Sequence, residues 1–378
     1  MEEVMKELLF GKVEEREFRF CGVELVQHED FSITVKCEQT SRKLYMVRLD
    51  ADRANDTSMP ANEEETSELQ SIVGILMWVC RSCRPGLSYQ VSSLQSASKK
   101  PIIEDIHLAN KVVKHVLDDP TIGLTYKPNV HWPNAGEEMK MCTVAVSDAS
   151  HGNEEEYLSE FDVREPFRSQ GAKLVFVADT DILDQDAAAV RLVGYSSTIQ
   201  KRVVNSTIKA ETYQLTDVVE ATDLMRAAIA DMHGRLDHDK WETSAAAFMK
   251  SVWFTDCKSC FDTLQKPIAK TIDKRLGIEL AALRQSLWRN AGTQKPEFRT
   301  LEEKPKEPTD TIRWIDTTVM VGDCLTKQMK DTYLNDVIAN NWWDFTQTEE
   351  AKAIKARKQA QRSKASKEGA CDMHFEDE

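Results

Sequence analysis

Between residues 141 and 340 the apolar segments change their period in a fixed order, and that order limits what the chain can fold into. Short apolar runs predict strands at Met141–Ser147, Ala172–Val177, Val190–Ser196, Ser251–Thr255 and Thr311–Ile315. Spacings of three and four predict helices at Ser206–Met232, Lys258–Gln265, Ile272–Arg289 and Asp323–Asn340. Three strands, a helix, a strand, helices, a strand and a final helix describe an α/β domain with a mixed sheet covered by helices. The polar stretches 153–166 and 178–189 read as long loops around the first strands.

Upstream the pattern differs. To about residue 50 the chain alternates in strand fashion around FRFCGVELV and FSITVKC; residues 50 to 66 have no period and read as a linker. From Ser67 to Tyr126 it is helical, with Leu69, Ile72, Val73, Leu76 and Val79 on one stripe and a second helix from Ile103 to Leu117. From Glu349 a run of Ala, Lys, Arg and Gln ends in acidic residues and predicts a charged helix or tail. The longest apolar run, Ile72 to Cys80, is too short to span a bilayer. Nine scattered cysteines and no basic leader suit a reduced compartment, so a soluble intracellular protein, cytoplasmic or nuclear, is expected. The net charge of −14 argues mildly against indiscriminate nucleic-acid binding, but leaves open what one cleft holds.

Four acids stand where chemistry can use them. Stepping through 208, 211, 215, 218, 222, 225 and 229 keeps to one helix face, so Glu211 lies on an apolar stripe shared with Ile208, Leu215, Val218 and Ile229. A buried carboxylate needs a cation or another polar partner to offset its desolvation. Asp148 follows the apolar CTVAVS and Asp256 follows SVWFT, each at the carboxyl end of a strand, where open α/β sheets place their ligands. Asp323, in Val-Gly-Asp-Cys-Leu-Thr-Lys, opens the last predicted helix. Singly, each has an ordinary reading as a cap or turn residue. Together they supply what hydrolysis of a phosphodiester by two divalent ions roughly 4 Å apart requires. Oxygen donors of this kind suit Mg²⁺, with Mn²⁺ as a substitute.

The flanking residues resemble the reverse transcriptase–RNase H region of copia-type retrotransposon polyproteins. The similarity is carried by Val146-Ser147-Asp148-Ala149, Arg168-Ser169-Gln170-Gly171, Gly194 through Lys201, Ser206 through Tyr213, Thr255-Asp256-Cys257-Lys258-Ser259 and Gly322-Asp323-Cys324-Leu325-Thr326-Lys327. Upstream, Leu69 through Gly74, Arg84 through Ser92 and Gly123 through Tyr126 resemble the helical segment that follows the polymerase palm. The resemblance implies an RNase H-like mixed five-stranded sheet flanked by helices over 138–345. It also implies partial palm strands over 1–50, a linker over 51–66, a helical thumb/connection segment over 67–130 and a charged tail over 346–378. It makes Asp148, Glu211, Asp256 and Asp323 the catalytic and metal-binding acids, with two Mg²⁺ ions as cofactors.

The departures from that family matter as much. No aspartate pair follows Tyr45, so polymerase activity is not expected. Cys257 stands where the family has Asn, and Asp273-Lys274-Arg275-Leu276-Gly277 lacks the family's His. Ser197, Gln200, Lys201, Arg202, Ser206, Ser259, Lys274 and Arg275 are the candidate contacts to a bound strand; Ser197, Gln200 and Ser206 carry polar groups able to read a 2′-hydroxyl. The function expected is endonucleolytic cleavage of the RNA strand of RNA–DNA hybrids, with the missing polymerase part of a polyprotein as a further partner and no membrane. The alternative is a catalytically silent or co-opted remnant that binds nucleic acid or a partner without cutting. A different nuclease of the same fold acting on DNA is a third.

Overall fold

The computed structural model describes residues 14–128, 137–152, 154–158, 163–265, 273–289 and 308–346. The charged tail beyond 346, the first thirteen residues of the expected palm strands and the predicted helix start at Ile272 lie outside the described residues.

The described residues open with β1 (Glu17–Phe20), β2 (Val23–Gln27) and β3 (Ile33–Lys36), an antiparallel set. Three helices follow: α1 (Glu63–Cys83), α2 (Ser88–Ala97) and α3 (Ile103–Asp118). The expected linker is ordered at both ends. Ala51–Ala54 form one helical turn, and α1 starts within it at Glu63, with Asn62 and Glu65 in a capping box. Glu65 also holds Arg53 through two 2.8 Å contacts. β4 (Gly123–Tyr126) then returns to β3 and completes a four-stranded sheet. Gly123 is required there, because a Cβ would lie 2.3 Å from the Val35 carbonyl oxygen.

The second sheet contains all five predicted strands: β5 (Met141–Ala149), β8 (Gln170–Asp179), β9 (Ala187–Ile199), β10 (Ser251–Thr255) and β11 (Thr311–Trp314). A sixth, β12 (Trp342–Asp344), pairs antiparallel with β9. Its order is β11-β10-β5-β8-β9-β12, with β8 antiparallel to both β5 and β9, and β10 and β11 parallel to β5. This is the mixed sheet of an α/β domain that the order of strand and helix periods called for. Between β5 and β8, the stretch expected as a loop forms a hairpin of β6 (Glu154–Leu158) and β7 (Val163–Arg168).

Both faces of this sheet are covered, which is why its strands read as unbroken apolar runs. Ala145, Val175, Trp253 and Ile312 point to one side, under α4 (Thr207–Met232), α6 (Lys258–Gln265) and α7 (Lys274–Leu287). Their neighbours Val144, Val146, Leu174, Phe176, Val252 and Phe254 point to the other, into one core shared with α1, α2 and α3. A short α5 (Trp241–Phe248) packs on α4, and α8 (Thr332–Asn340) leads into β12. Asn341 makes that turn at φ 52°, the left-handed conformation that Asn tolerates, and its side chain donates to the Thr125 carbonyl at 2.6 Å. Trp343 is fully buried, its ring centroid 4.8 Å from Phe254 and 5.0 Å from Phe345, so these aromatics close the core; Trp342 faces outward.

Two sequence expectations are corrected. The last helix starts at Thr332, and Asp323–Leu325 form a single 3-10 turn. On α4, Met232 is 71% exposed, so the apolar stripe ends before it.

Candidate metal centre

The carboxyl ends of β5 and β10 are brought together by their register. Val146 pairs with Phe254 in the parallel ladder, so two residues further on Asp148 and Asp256 stand side by side at one sheet edge. α4 crosses the sheet and delivers Glu211 from its first turns. Its close approach depends on Gly171, where a Cβ would overlap the Gln214 side chain. Carboxylate oxygens of Asp148, Glu211 and Asp256 lie within 4.8 Å of one another. Asp148 and Glu211 are 2% and 4% exposed, and Asp256 is half-buried.

Asp323 does not join that set of three. It approaches from the 3-10 turn, where a Cβ on Gly322 would lie 3.1 Å from Asp148 Cβ. Lys327 Nζ lies 2.6 Å from Asp323 Oδ1 and 3.8 Å from Asp148 Oδ2, and the Thr326 hydroxyl donates to the same Asp148 oxygen. Thr317 Oγ1 donates to Asp256 Oδ2 at 2.8 Å. Glu211 Oε2 is buried with no hydrogen-bond partner.

Such a cluster resists ionisation. Burial, with the Asp323 charge beside it, pushes the Asp148 carboxyl up to about 6. Glu211 is held well above the usual carboxylate range by burial and by the charges of Asp148 and Asp256. Burial and Asp148 raise Asp256, against the pull of Thr317. Burial raises Asp323 as well, moderated by Lys327. Burial opposes the charge on Lys327, yet Asp148 and Asp323 keep its pKa above the ordinary value. Desolvated, mutually repelling carboxylates with an orphaned oxygen between them fit a divalent cation, which all-oxygen donor sets of this kind hold.

The candidate strand contacts divide into two groups. Ser197 is buried, accepting from Gln170 Nε2 at 2.6 Å and donating to the Leu325 carbonyl, so it stitches the sheet to the 3-10 turn instead of facing a cleft. Gln200 is half-buried and donates to the Ala210 carbonyl at 2.9 Å. Lys201, Arg202, Ser259, Lys274 and Arg275 are exposed, and Ser206 stands half-buried at the residue before α4, its hydroxyl making no capping bond. They sit at the N-terminal ends of α4, α6 and α7. These ends are held together by Lys209 with Asp273, by Arg202 with Glu279 at 3.3 Å and by Thr212 with Cys260 at 3.6 Å. Sequence reasoning missed Thr317, and quoted Thr326 and Lys327 without giving either a role. The four-residue spacing from Asp323 to Lys327 was the available signal.

No family model matches the sequence, and no curated protein matches it. Among solved structures the chain is similar to LC11-RNase H1, isolated from compost by a metagenomic approach. That match has 14% identity and a TM-score of 0.26, over 52% of this chain and 99% of that one. It is also similar to the foamy viral protease-reverse transcriptase in complex with double-stranded DNA, at 12% identity and TM-score 0.38, over 80% of this chain. A foamy viral protease-reverse transcriptase in complex with an RNA/DNA hybrid matches at 13% identity and TM-score 0.37, over 84% of this chain. The chain spans 38% and 31% of those two viral chains. Among the described residues, no helix is long and apolar enough to cross a membrane.

Proposed function

We propose that the chain is a metal-dependent RNase H of copia-type retrotransposon origin, cleaving the RNA strand of RNA–DNA hybrids. The observation that carries the reading is the convergence of Asp148, Glu211 and Asp256 at the carboxyl edge of a mixed sheet, with Asp323 adjoining. Asp148, Glu211 and Asp256 would hold Mg²⁺ or Mn²⁺, and Asp323 would contribute to any second ion. A divalent ion there supplies Lewis-acid activation of water and of the leaving oxygen in phosphodiester hydrolysis.

The chain's own residues do the rest. Thr317 fixes one oxygen of Asp256, which leaves the other free to turn into the cluster. Thr326 does the same for Asp148. Lys201, Arg202, Ser259, Lys274 and Arg275 line the exposed rim at three helix N-termini, where positive charge and backbone N–H groups receive phosphates. Arg202 lies over the Tyr213 ring, 5.3 Å from its centroid, a cation–π contact made beside its pairing with Glu279. Ser206, and Gln200 if it releases the Ala210 carbonyl, would be the groups to meet a ribose hydroxyl.

The test is cleavage of an end-labelled RNA–DNA hybrid with Mg²⁺, alongside Asp148→Asn and Asp256→Asn. Cutting confined to the RNA strand, lost in both variants, is the expected result. A folded chain that cuts nothing with either Mg²⁺ or Mn²⁺ is a silent or co-opted remnant. Preference for DNA duplexes makes it a DNA-directed nuclease of the same fold.

A further inference from the structure

The four acids are not equivalent in this protein, because one end of the cluster already has a cation. Lys327 reaches both Asp323 and Asp148, at 2.6 Å and 3.8 Å. Its backbone N–H also bonds to the Asp323 carbonyl at 3.1 Å, so the turn itself sets the ammonium beside these carboxylates. The neighbouring Thr326 hydroxyl occupies the same Asp148 oxygen, Oδ2. One oxygen each of Asp148 and Asp323 is therefore already engaged by an ammonium or a hydroxyl, on the side where a second divalent ion would sit. On the other side of Asp148 the arrangement differs: Glu211 Oε2 is buried with no hydrogen-bond partner, and carboxylate oxygens of Asp148, Glu211 and Asp256 lie within 4.8 Å of one another. Lys327 thus supplies a cation to the Asp323 face of the cluster, while the other face is built of carboxylates.

We propose that Lys327 serves as a built-in cation in place of the second metal, so that the centre binds a single divalent ion on the Asp148–Glu211–Asp256 side. This rests on the metal-centre reading above and narrows it from two ions to one. Lys327 is then a positioning residue: it holds Asp323 and the outer oxygen of Asp148, and it supplies positive charge that is always present whatever the metal concentration. Its side chain is 42% exposed and lies at the rim, so its removal leaves the core intact.

Mn²⁺ titration of the full chain, with free ion counted by electron paramagnetic resonance, separates the possibilities. Ions belonging to the centre are those lost in Asp148→Asn, which removes adventitious binding to this acidic chain from the count. The wild type is expected to lose one ion on that comparison. Lys327→Met is expected to bind two at the centre, the second appearing as an added equivalent with spin coupling between the pair. Lys327→Arg, which keeps the charge, is expected to return to one. Two ions in the wild type, or one in Lys327→Met, overturns the proposal. Zero ions in every variant sinks the metal-centre reading and the proposal with it, and that outcome is distinct from a count of two. Circular dichroism of each variant checks that the fold is retained.

Discussion

Replacing Asp148 by Asn in metal-free protein should stabilise the fold at neutral pH. The carboxyl is fully enclosed and its pKa is lifted from 3.8 to about 6 by burial and by Asp323. An acid whose folded pKa lies above its unfolded one favours the unfolded state once the unfolded chain ionises. Its contribution is harmless below the unfolded value, and stability is lost as pH rises from about 4 to about 6, then stays low. A shift of about two pKa units corresponds to about 3 kcal/mol at pH 7. Asn keeps the shape and can still accept from Thr326 without ionising. In EDTA the variant should therefore have a melting midpoint above the wild type by about 5 °C at pH 7, a gap that vanishes near pH 4. Saturating Mg²⁺ should close the gap at pH 7, since an ion at a hundred times its Kd adds about 2.7 kcal/mol to the wild type alone. Differential scanning calorimetry over pH 4 to 7, with and without Mg²⁺, reads all of this. A variant less stable than wild type in EDTA at pH 7 would refute the reasoning, because Lys327 and Thr326 would then outweigh burial.

Other consequences follow from packing. Trp343→Ala removes a fully buried ring among Phe176, Phe254 and Phe345 and should cost about 3–5 kcal/mol in urea denaturation. Arg226 is wholly buried between Asp310, at 2.8 Å, and Asp223, at 2.7 Å, so Arg226→Met should cost about 3–5 kcal/mol by stranding buried charge. Adding Asp310→Leu should recover most of that loss, and a double variant no better than the single would show that the pair is not the cause. Gly123→Ala forces a Cβ against the Val35 backbone and should destabilise by about 1–3 kcal/mol; an unchanged midpoint would mean that β3 and β4 separate readily.

The second sheet was legible because its strands are buried on both faces, which turns period two into solid apolar runs such as CTVAV and SVWFT. Glu211 was legible for a related reason: the helical repeat through Leu215, Val218 and Ile229 leaves it no exposed face. The segment after Asp323 was not. Its polar and apolar residues fit a helix start, but the chain instead makes one tight turn so that Thr326 and Lys327 face Asp148, a tertiary demand that local spacing does not contain. β12 is three residues long, too short for any period, and owes its existence to the buried Trp343. The β6–β7 hairpin is built from charged residues that give no apolar alternation. Ser197 looked like a surface hydroxyl because its neighbours are polar; its burial comes from the Leu325 carbonyl, far along the chain.

Asp148 and Thr326 touch across 178 residues of chain, which has a consequence for synthesis. The meander of β5, β8 and β9 can form as soon as residue 199 has emerged, since its links are shorter than the one from β9 to β10 and loop closure there costs less. The parallel strands β10 and β11 and the turn at Asp323 must be threaded onto an existing sheet over long loops, the slow class of contact. At translation rates of about 5–20 residues per second, on the order of ten seconds separate the appearance of Glu211 from that of Lys327. Through that interval a nascent chain carries the meander with an incomplete acid cluster. Whatever chemistry the cluster performs is switched on late, once both parallel strands have been made.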